Sequence, residues 1–474
     1  MARYRQERPK PVGTIVGVVL CLGVIGVFLV LGKTENRARD ERGSTLMNAH
    51  AQGVRPLANE GVVVFESPDP ADVFTGSPGI VKLNSGRLVV TFDLRGPGMK
   101  TWPGVKGMRY GQPRQSKVFT SDDGGRTWTH RTDFPFQHAR PFVAGKSVYI
   151  LGQIEDLTVI RSDDGGTNWS TPHRLTDGED WTTAPCNVLT ANGCVYLVMM
   201  KRVYAHKGFW PVSVHAPVLM RGRIGADLTK RKNWTLSSTL VFRDVVTPTH
   251  LDWFGVPFFE YKFGATTHPA PGRAMHPIGW TESNVVQFRD PDHVWHDPSG
   301  RTFHLWMRAH TGGTGYAAIA KVVEQGETPG TGPMTTILEK APSGKTMLYV
   351  PCPGGQMKFH VLYDDKTKLY WLLSTQATDS MIRPDRLPAD RYNLPNNERR
   401  RLQLHFSKNM VDWCFAGLVS IGPVNVASRH YASMAIDGND LVILSRSGDK
   451  RAKSAHDGNL ITFHRIMDFR ALVY

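Results

Sequence analysis

From about residue 60 onward the chain reads as short apolar runs separated by turns. Val62-Val63-Val64-Phe65, Ile80-Val81-Lys82-Leu83 and Leu88-Val89-Val90-Thr91-Phe92 have strand length, and Asn84-Ser85-Gly86 supplies the turn between the last two. Val148-Tyr149-Ile150-Leu151, Cys194-Val195-Tyr196-Leu197-Val198 and Leu441-Val442-Ile443-Leu444 repeat the pattern. Phe359 to Tyr363, the polar stretch Asp364 to Lys368, and Leu369 to Leu373 read as a further hairpin. No part of this body sustains a 3.6-residue period, which excludes βαβ architecture and leaves an all-β fold. The one long uncharged run is Val12 to Gly32, 21 residues, enough for a membrane-spanning helix at about 1.5 Å per residue.

One motif recurs. Ser121-Asp122-Asp123-Gly124-Gly125-Arg126-Thr127-Trp128 returns 41 residues later as Ser162-Asp163-Asp164-Gly165-Gly166-Thr167-Asn168-Trp169. That offset matches one four-stranded propeller blade. Ser407 to Trp413 is a degenerate third copy, one residue shorter. The Asp carboxylate suits the backbone N–H groups of its own turn, Gly permits positive φ, and Trp fills the space between sheets. These segments resemble Asp boxes, and over residues 60–474 the sequence resembles the sialidase superfamily of six-bladed β-propellers. The resemblance implies structural roles for Ser121, Asp123, Gly125, Trp128, Ser162, Asp164, Gly166, Trp169, Ser407 and Trp413, away from the catalytic face.

The same resemblance implies a catalytic set: three arginines gripping a substrate carboxylate, a Tyr nucleophile activated by a Glu, and an Asp acid/base. Guanidinium groups pair with carboxylates in bidentate fashion, and a neutral phenol avoids repulsion from an anionic sugar. His430-Tyr431-Ala432-Ser433-Met434-Ala435-Ile436-Asp437-Gly438 is similar to the nucleophile segment and nominates Tyr431; the alternative is a Tyr capping a loop. Arg399 stands eight residues before Ser407, the spacing of one gripping arginine, although Arg399-Arg400-Arg401 also suits a solvated basic loop. Arg308 closes a strand in the fourth blade and fits a second. For the base, Asp292 or His293 opens the segment before that strand; Glu282-Ser283-Asn284 has the lettering of the family's Glu motif but lies 26 residues before Arg308, too far for one short hairpin.

Two family features are absent. Gly76 stands where the first arginine is expected, with Arg140 as a candidate substitute and Arg95 as a further pocket residue. No Asp or Glu occurs from Arg95 to Thr120, where the acid/base is expected. His310 and His430 are candidate replacements. No zinc-type histidine spacing or carboxylate cluster calls for a metal or other cofactor.

Charge sharpens the functional reading. The formal net charge is +15, of which residues 1–42 hold +4, leaving +11 for the rest. A basic body steers anionic partners; without a long Lys/Arg run, an acidic glycan fits better than nucleic acid. Arg3, Arg5, Arg8 and Lys10 precede the apolar run and Glu35, Asp40 and Glu41 dilute the charge after it. The expected layout is a cytoplasmic tail (1–11), a single membrane anchor or uncleaved signal (12–32), a linker (33–59) and an exported propeller (60–474). Cys186 and Cys194 read as core thiols rather than a disulfide. The expected activity is a sialidase-like exo-glycoside hydrolase releasing a terminal acidic sugar. The alternatives are a propeller-type lyase acting on uronates and a non-catalytic glycan- or protein-binding propeller.

Overall fold

The computed structural model describes residues 55–474 except 207–209, 248–266, 271–272, 276, 312–314, 381, 383–385 and 389–397. The Val12–Gly32 run lies outside the described residues; among those described, no helix is long and apolar enough to cross a membrane. The compact unit spans Pro56–Tyr474.

Six antiparallel sheets carry the described fold, each containing a path of four strands. Blade 1 comprises Gly79–Lys82, Leu88–Arg95, Gln112–Ser121 and Thr129–Phe134. Blade 2 comprises Gln137–Ala144, Ser147–Ile154, Asp156–Ser162 and His173–Arg174. Blade 3 holds Leu189–Ala191, Cys194–Arg202, His215–Arg223 and Trp234–Leu236. Blade 4 holds Gly279–Val286, Thr302–His310, Tyr316–Glu324 and Met334–Ile337. Blade 5 holds His360–Asp364, Leu369–Thr375, Arg401–Ser407 and Cys414–Ile421. Blade 6 takes three strands from the C-terminal end, Arg429–Asp437, Asp440–Ser447 and Leu460–Ile466, and its outer strand, Val62–Glu66, from the other end of the unit. That pairing, with Val62 opposite Phe463 and Glu66 opposite Leu460, locks the ring shut.

Each blade is buried on both faces, which is why its strands read as nearly continuous apolar runs. Alternate residues of one strand serve different neighbours. Leu88, Val90 and Phe92 join the core against blade 6, whereas Val89 joins the core against blade 2. Leu305 and Met307 pack toward blade 3 and Trp306 toward blade 5. Such interfaces follow one another around the ring.

The Asp boxes occupy the turns between third and fourth strands of blades 1, 2 and 5. Asp123 accepts the N–H groups of Arg126 and Thr127, both at 3.0 Å, and Asp164 accepts those of Thr167 and Asn168 at 3.1 and 2.9 Å. Ser121 and Ser162 accept the N–H groups of Gly125 and Gly166, both at 2.8 Å. Gly125 has φ 93°, and a Cβ there would lie 2.2 Å from the Phe463 ring that Trp128 packs against. In the third copy Asn409 replaces the Asp and accepts from Val411 and Asp412 N–H. Cys186 and Cys194 are free, buried thiols.

Near the axis, Asn284 ties three blades together. Its Oδ1 accepts the N–H groups of Asn187 (3.3 Å) and Val361 (3.1 Å), and its Nδ2 donates to Phe359 O (3.2 Å). The side chain is fully buried, so Asn284→Leu strands two donors and one acceptor in the core. We expect a loss of about 3 kcal/mol or more in denaturant unfolding; a change below about 1 kcal/mol would show that the axis is not stapled by this residue.

Candidate active site

The inner strands of blades 2, 4 and 6 are interrupted near their beginnings by bulges, between Gln137 and Arg140, Thr281 and Ser283, and His430 and Ser433. Each bulge holds one non-glycine residue in the left-handed region: His138 (φ 49°), Glu282 (φ 52°) and Tyr431 (φ 51°). That conformation is sparsely populated and clusters at functional sites, because a bulge re-aims a side chain that the pleat would send elsewhere. Here two of the three re-aimed side chains meet.

Arg308 joins them. Its Nη1 donates to the Tyr431 hydroxyl at 2.6 Å and to Glu282 Oε2 at 3.2 Å, while Nε donates to Gln356 O at 2.8 Å. Arg308 is 2% exposed and lies under the Trp210 ring at 4.8 Å. The phenol oxygen accepts from Arg308, whose Nη1 thus bridges the phenol and the Glu282 carboxylate and leaves the phenolic proton free. Burial raises the Tyr431 pKa, Arg308 pulls it down, and Glu282 raises it again. Burial pulls the Arg308 guanidinium down, but Tyr431 and Glu282 outweigh it and the net shift is upward.

Two further guanidinium groups lie over the phenol ring, those of Arg399 and Arg446, each with Cζ 5.6 Å from the centroid. Arg399 is 2% exposed and donates to His430 Nδ1 at 2.9 Å. Arg446 is 3% exposed and donates to the carbonyl of His456. Neither has a carboxylate within ion-pair distance among the described residues, unlike Arg308 with Glu282 or Arg95 with Asp457 at 2.5 Å. Burial brings Arg399 down to about 10 and Arg446 well below its usual value, with neighbouring arginines adding to both shifts.

The structure thus brings together Tyr431, Arg308 and Arg399, with Arg95 nearby through its contacts to His456 and Asp457. It does not bring Asp292 or His293 to them. The first strand of blade 4 is Gly279–Val286, with Thr281 opposite Arg308, and residues 287–301 form a long connection at the other end of the hairpin. His293 stacks on Phe288 at 3.9 Å and contacts Asn409 O beside the third Asp box; Asp292 belongs to the same connection. Glu282 therefore replaces both, its 26-residue separation from Arg308 spanning that connection. Arg140 is likewise withdrawn: it is buried between blades and donates to the carbonyls of Val198 (3.2 Å) and Ala184 (3.5 Å). His430 is fully buried against Arg399, and burial with that charge lowers its pKa. His310 packs on Trp210.

Gly76 has a local cause. A Cβ at this position would lie 1.9 Å from Asp93 Oδ2. Asp93 is buried and accepts the N–H groups of Ser77 (3.2 Å) and His138 (3.3 Å), occupying the space where a side chain at 76 would begin. Arg446, missed in the sequence, has no motif around it; the available signal was an arginine near the end of a second strand, a position shared by Arg95, Arg202 and Arg308. Among the described residues no group of three or more His, Cys, Asp or Glu side chains is placed to hold a metal.

No protein-family model and no curated protein matches the chain. Among solved structures, it is similar to a Hadza microbial sialidase at 15% identity and TM-score 0.50, covering 87% of this chain and 69% of that one. The fold is sialidase-like. A Trypanosoma rangeli sialidase in complex with sialic acid (12% identity, TM-score 0.48, 88% of this chain and 60% of that one) is also similar. So is a Penicillium chrysogenum alpha-L-arabinanase complexed with arabinobiose (12%, 0.46, 88% and 100%). These neighbours of the sialidase-like propeller are glycoside hydrolases.

The steric account of Gly76 is testable. Gly76→Ala should destabilise the protein by about 1–3 kcal/mol, and Asp93→Ala in the same chain should relieve part of that loss in a double-mutant cycle of thermal unfolding. Strict additivity of the two changes would remove Asp93 as the reason for glycine.

Proposed function

We propose that the protein is a glycoside hydrolase of sialidase type, which releases a terminal acidic sugar with Tyr431 as nucleophile. The observation that carries this reading is the pair of buried guanidiniums, Arg399 and Arg446, over the Tyr431 ring without a carboxylate partner among the described residues. A buried cation without an anion is strongly unfavourable, and a substrate carboxylate supplies the missing partner in bidentate geometry. Arg446 takes over the gripping role left open at Gly76. The +11 balance outside residues 1–42 supports an anionic glycan, and the uncharged Val12–Gly32 run supports an encounter outside the cytoplasm.

The chemistry follows from the contacts. The phenol approaches the anomeric carbon uncharged and without repulsion from the carboxylate. Glu282 takes its proton as the oxygen–carbon bond forms, and Arg308, already hydrogen-bonded to that oxygen, stabilises the developing phenolate. Water then displaces the tyrosyl oxygen, which recovers its proton from Glu282.

Turnover of fluorogenic sialosides by the protein tests the reading. Tyr431→Phe should lower kcat by about 10³-fold or more, since the nucleophile is lost. Arg446→Ala should lower kcat/KM by about 10- to 100-fold, the equivalent of one charge-assisted interaction. Turnover of uronate polysaccharides alone, with an ultraviolet-absorbing unsaturated product, would instead make the protein a lyase. Glycan binding without turnover of either class would make it a binding propeller.

A further inference from the structure

The proposed reaction needs a proton for the leaving oxygen, and the stretch from Arg95 to Thr120 offers no carboxylic acid. The loop joining the second and third strands of blade 6 supplies another group. Its His456 and Asp457 form a dyad, with Nδ1 2.8 Å from Asp457 Oδ1. Ser454 Oγ accepts both of their N–H groups, at 3.2 and 3.0 Å, fixing the turn. Arg95 donates to Asp457 Oδ1 (2.5 Å) and His456 O (3.3 Å), and Arg446 donates to the same carbonyl. The dyad is therefore attached to the arginine that overhangs Tyr431. Nδ1 also faces Arg95 Nη2 at 3.2 Å; in the tautomer whose Nδ1–H donates to Asp457, Nε2 is the nitrogen left to exchange protons, and the His456 side chain is 42% exposed.

We propose that His456, oriented by Asp457, is the acid/base of the reaction; this rests on the reading of Tyr431 as nucleophile. His456 Nε2–H gives its proton to the glycosidic oxygen as the carbon–oxygen bond breaks and Tyr431 bonds to the anomeric carbon, its phenolic proton passing to Glu282. In the second half, Nε2 takes a proton from the attacking water as the tyrosyl–carbon bond breaks, and Glu282 returns the phenolic proton. The sum is one glycoside plus one water giving the free sugar and the alcohol.

The surroundings of the imidazole add a coupling. It is faced by Arg446, Arg399 and Arg95, by neutral His430 and by Asp457. Burial and then Arg446 push its pKa down to about 3, against the pull of Asp457. In the free protein it is neutral at pH 7. An anion seated on Arg399 and Arg446 offsets those charges, which moves the imidazole pKa upward.

The test compares two sialosides, one with an aryl leaving group that departs without protonation and one linked to an alkyl sugar hydroxyl. His456→Asn should lower kcat/KM for the alkyl glycoside by about 100-fold or more and leave the aryl value within about tenfold. Azide, which needs no base, should restore kcat on the aryl substrate. Asp457→Asn should show the same split in milder form. Equal losses on both substrates, or loss on neither, would overturn the assignment while leaving Tyr431 intact. Unchanged turnover in Tyr431→Phe would instead overturn the underlying reading. Independently of turnover, NMR titration of His456 should move upward by a unit or more when free N-acetylneuraminic acid is added; an unmoved titration would also overturn it.

Discussion

A guanidinium buried without a carboxylate is among the least favourable arrangements a protein can hold, and among the described residues this propeller has two such groups over one phenol ring. Arg399 and Arg446 repel each other and the nearby Arg308 and Arg95, and burial weakens their hold on a proton. A bound anion is what the proposed function supplies at these points. Arg308 is different: Glu282 and Tyr431 keep it charged.

The propeller makes this concentration possible. Inner strands begin and second strands end at the same face, so side chains far apart in sequence converge there; Arg308 and Tyr431 are 123 residues apart and in hydrogen-bond contact. Bulges at Glu282 and Tyr431 turn both side chains out of the alternation that would otherwise bury them between blades. The opposite ends of the blades carry the Asp boxes, where the same chemistry of carboxylate and backbone N–H serves only to shape turns. Stability and reactivity are thereby separated along each strand, the apolar middle joining neighbours around the ring.

Much of this was legible in the sequence. The 41-residue repeat and the apolar runs pointed to the propeller, and local patterns nominated Tyr431, Arg308 and Arg399. Glu282 is hidden in the sequence by its 26-residue separation from Arg308, which exceeds a short hairpin. Strand pairing depends on which residues face each other, not on how long their connection is, and blade 4 has a connection of residues 287–301. Asp292 and His293 attracted attention for the same reason and sit at the wrong end. Arg140 shows the converse limit: an arginine beside proline gave no hint that its guanidinium would be enclosed against the Val198 and Ala184 carbonyls. Arg446 and the His456–Asp457 dyad lie in no recognisable motif, and only the closing of the last blade brings them to the site.

The central claim is that Tyr431 forms the bond to the sugar. An acidic 2-deoxy-2-fluoro glycosyl fluoride slows the second half of such a reaction, so the covalent intermediate accumulates and can be weighed. Peptide mapping by mass spectrometry after incubation should find one glycosyl adduct on the peptide containing Tyr431, absent in Tyr431→Phe. An adduct on Glu282 or on any other residue, or steady turnover with no adduct at all, would contradict the account.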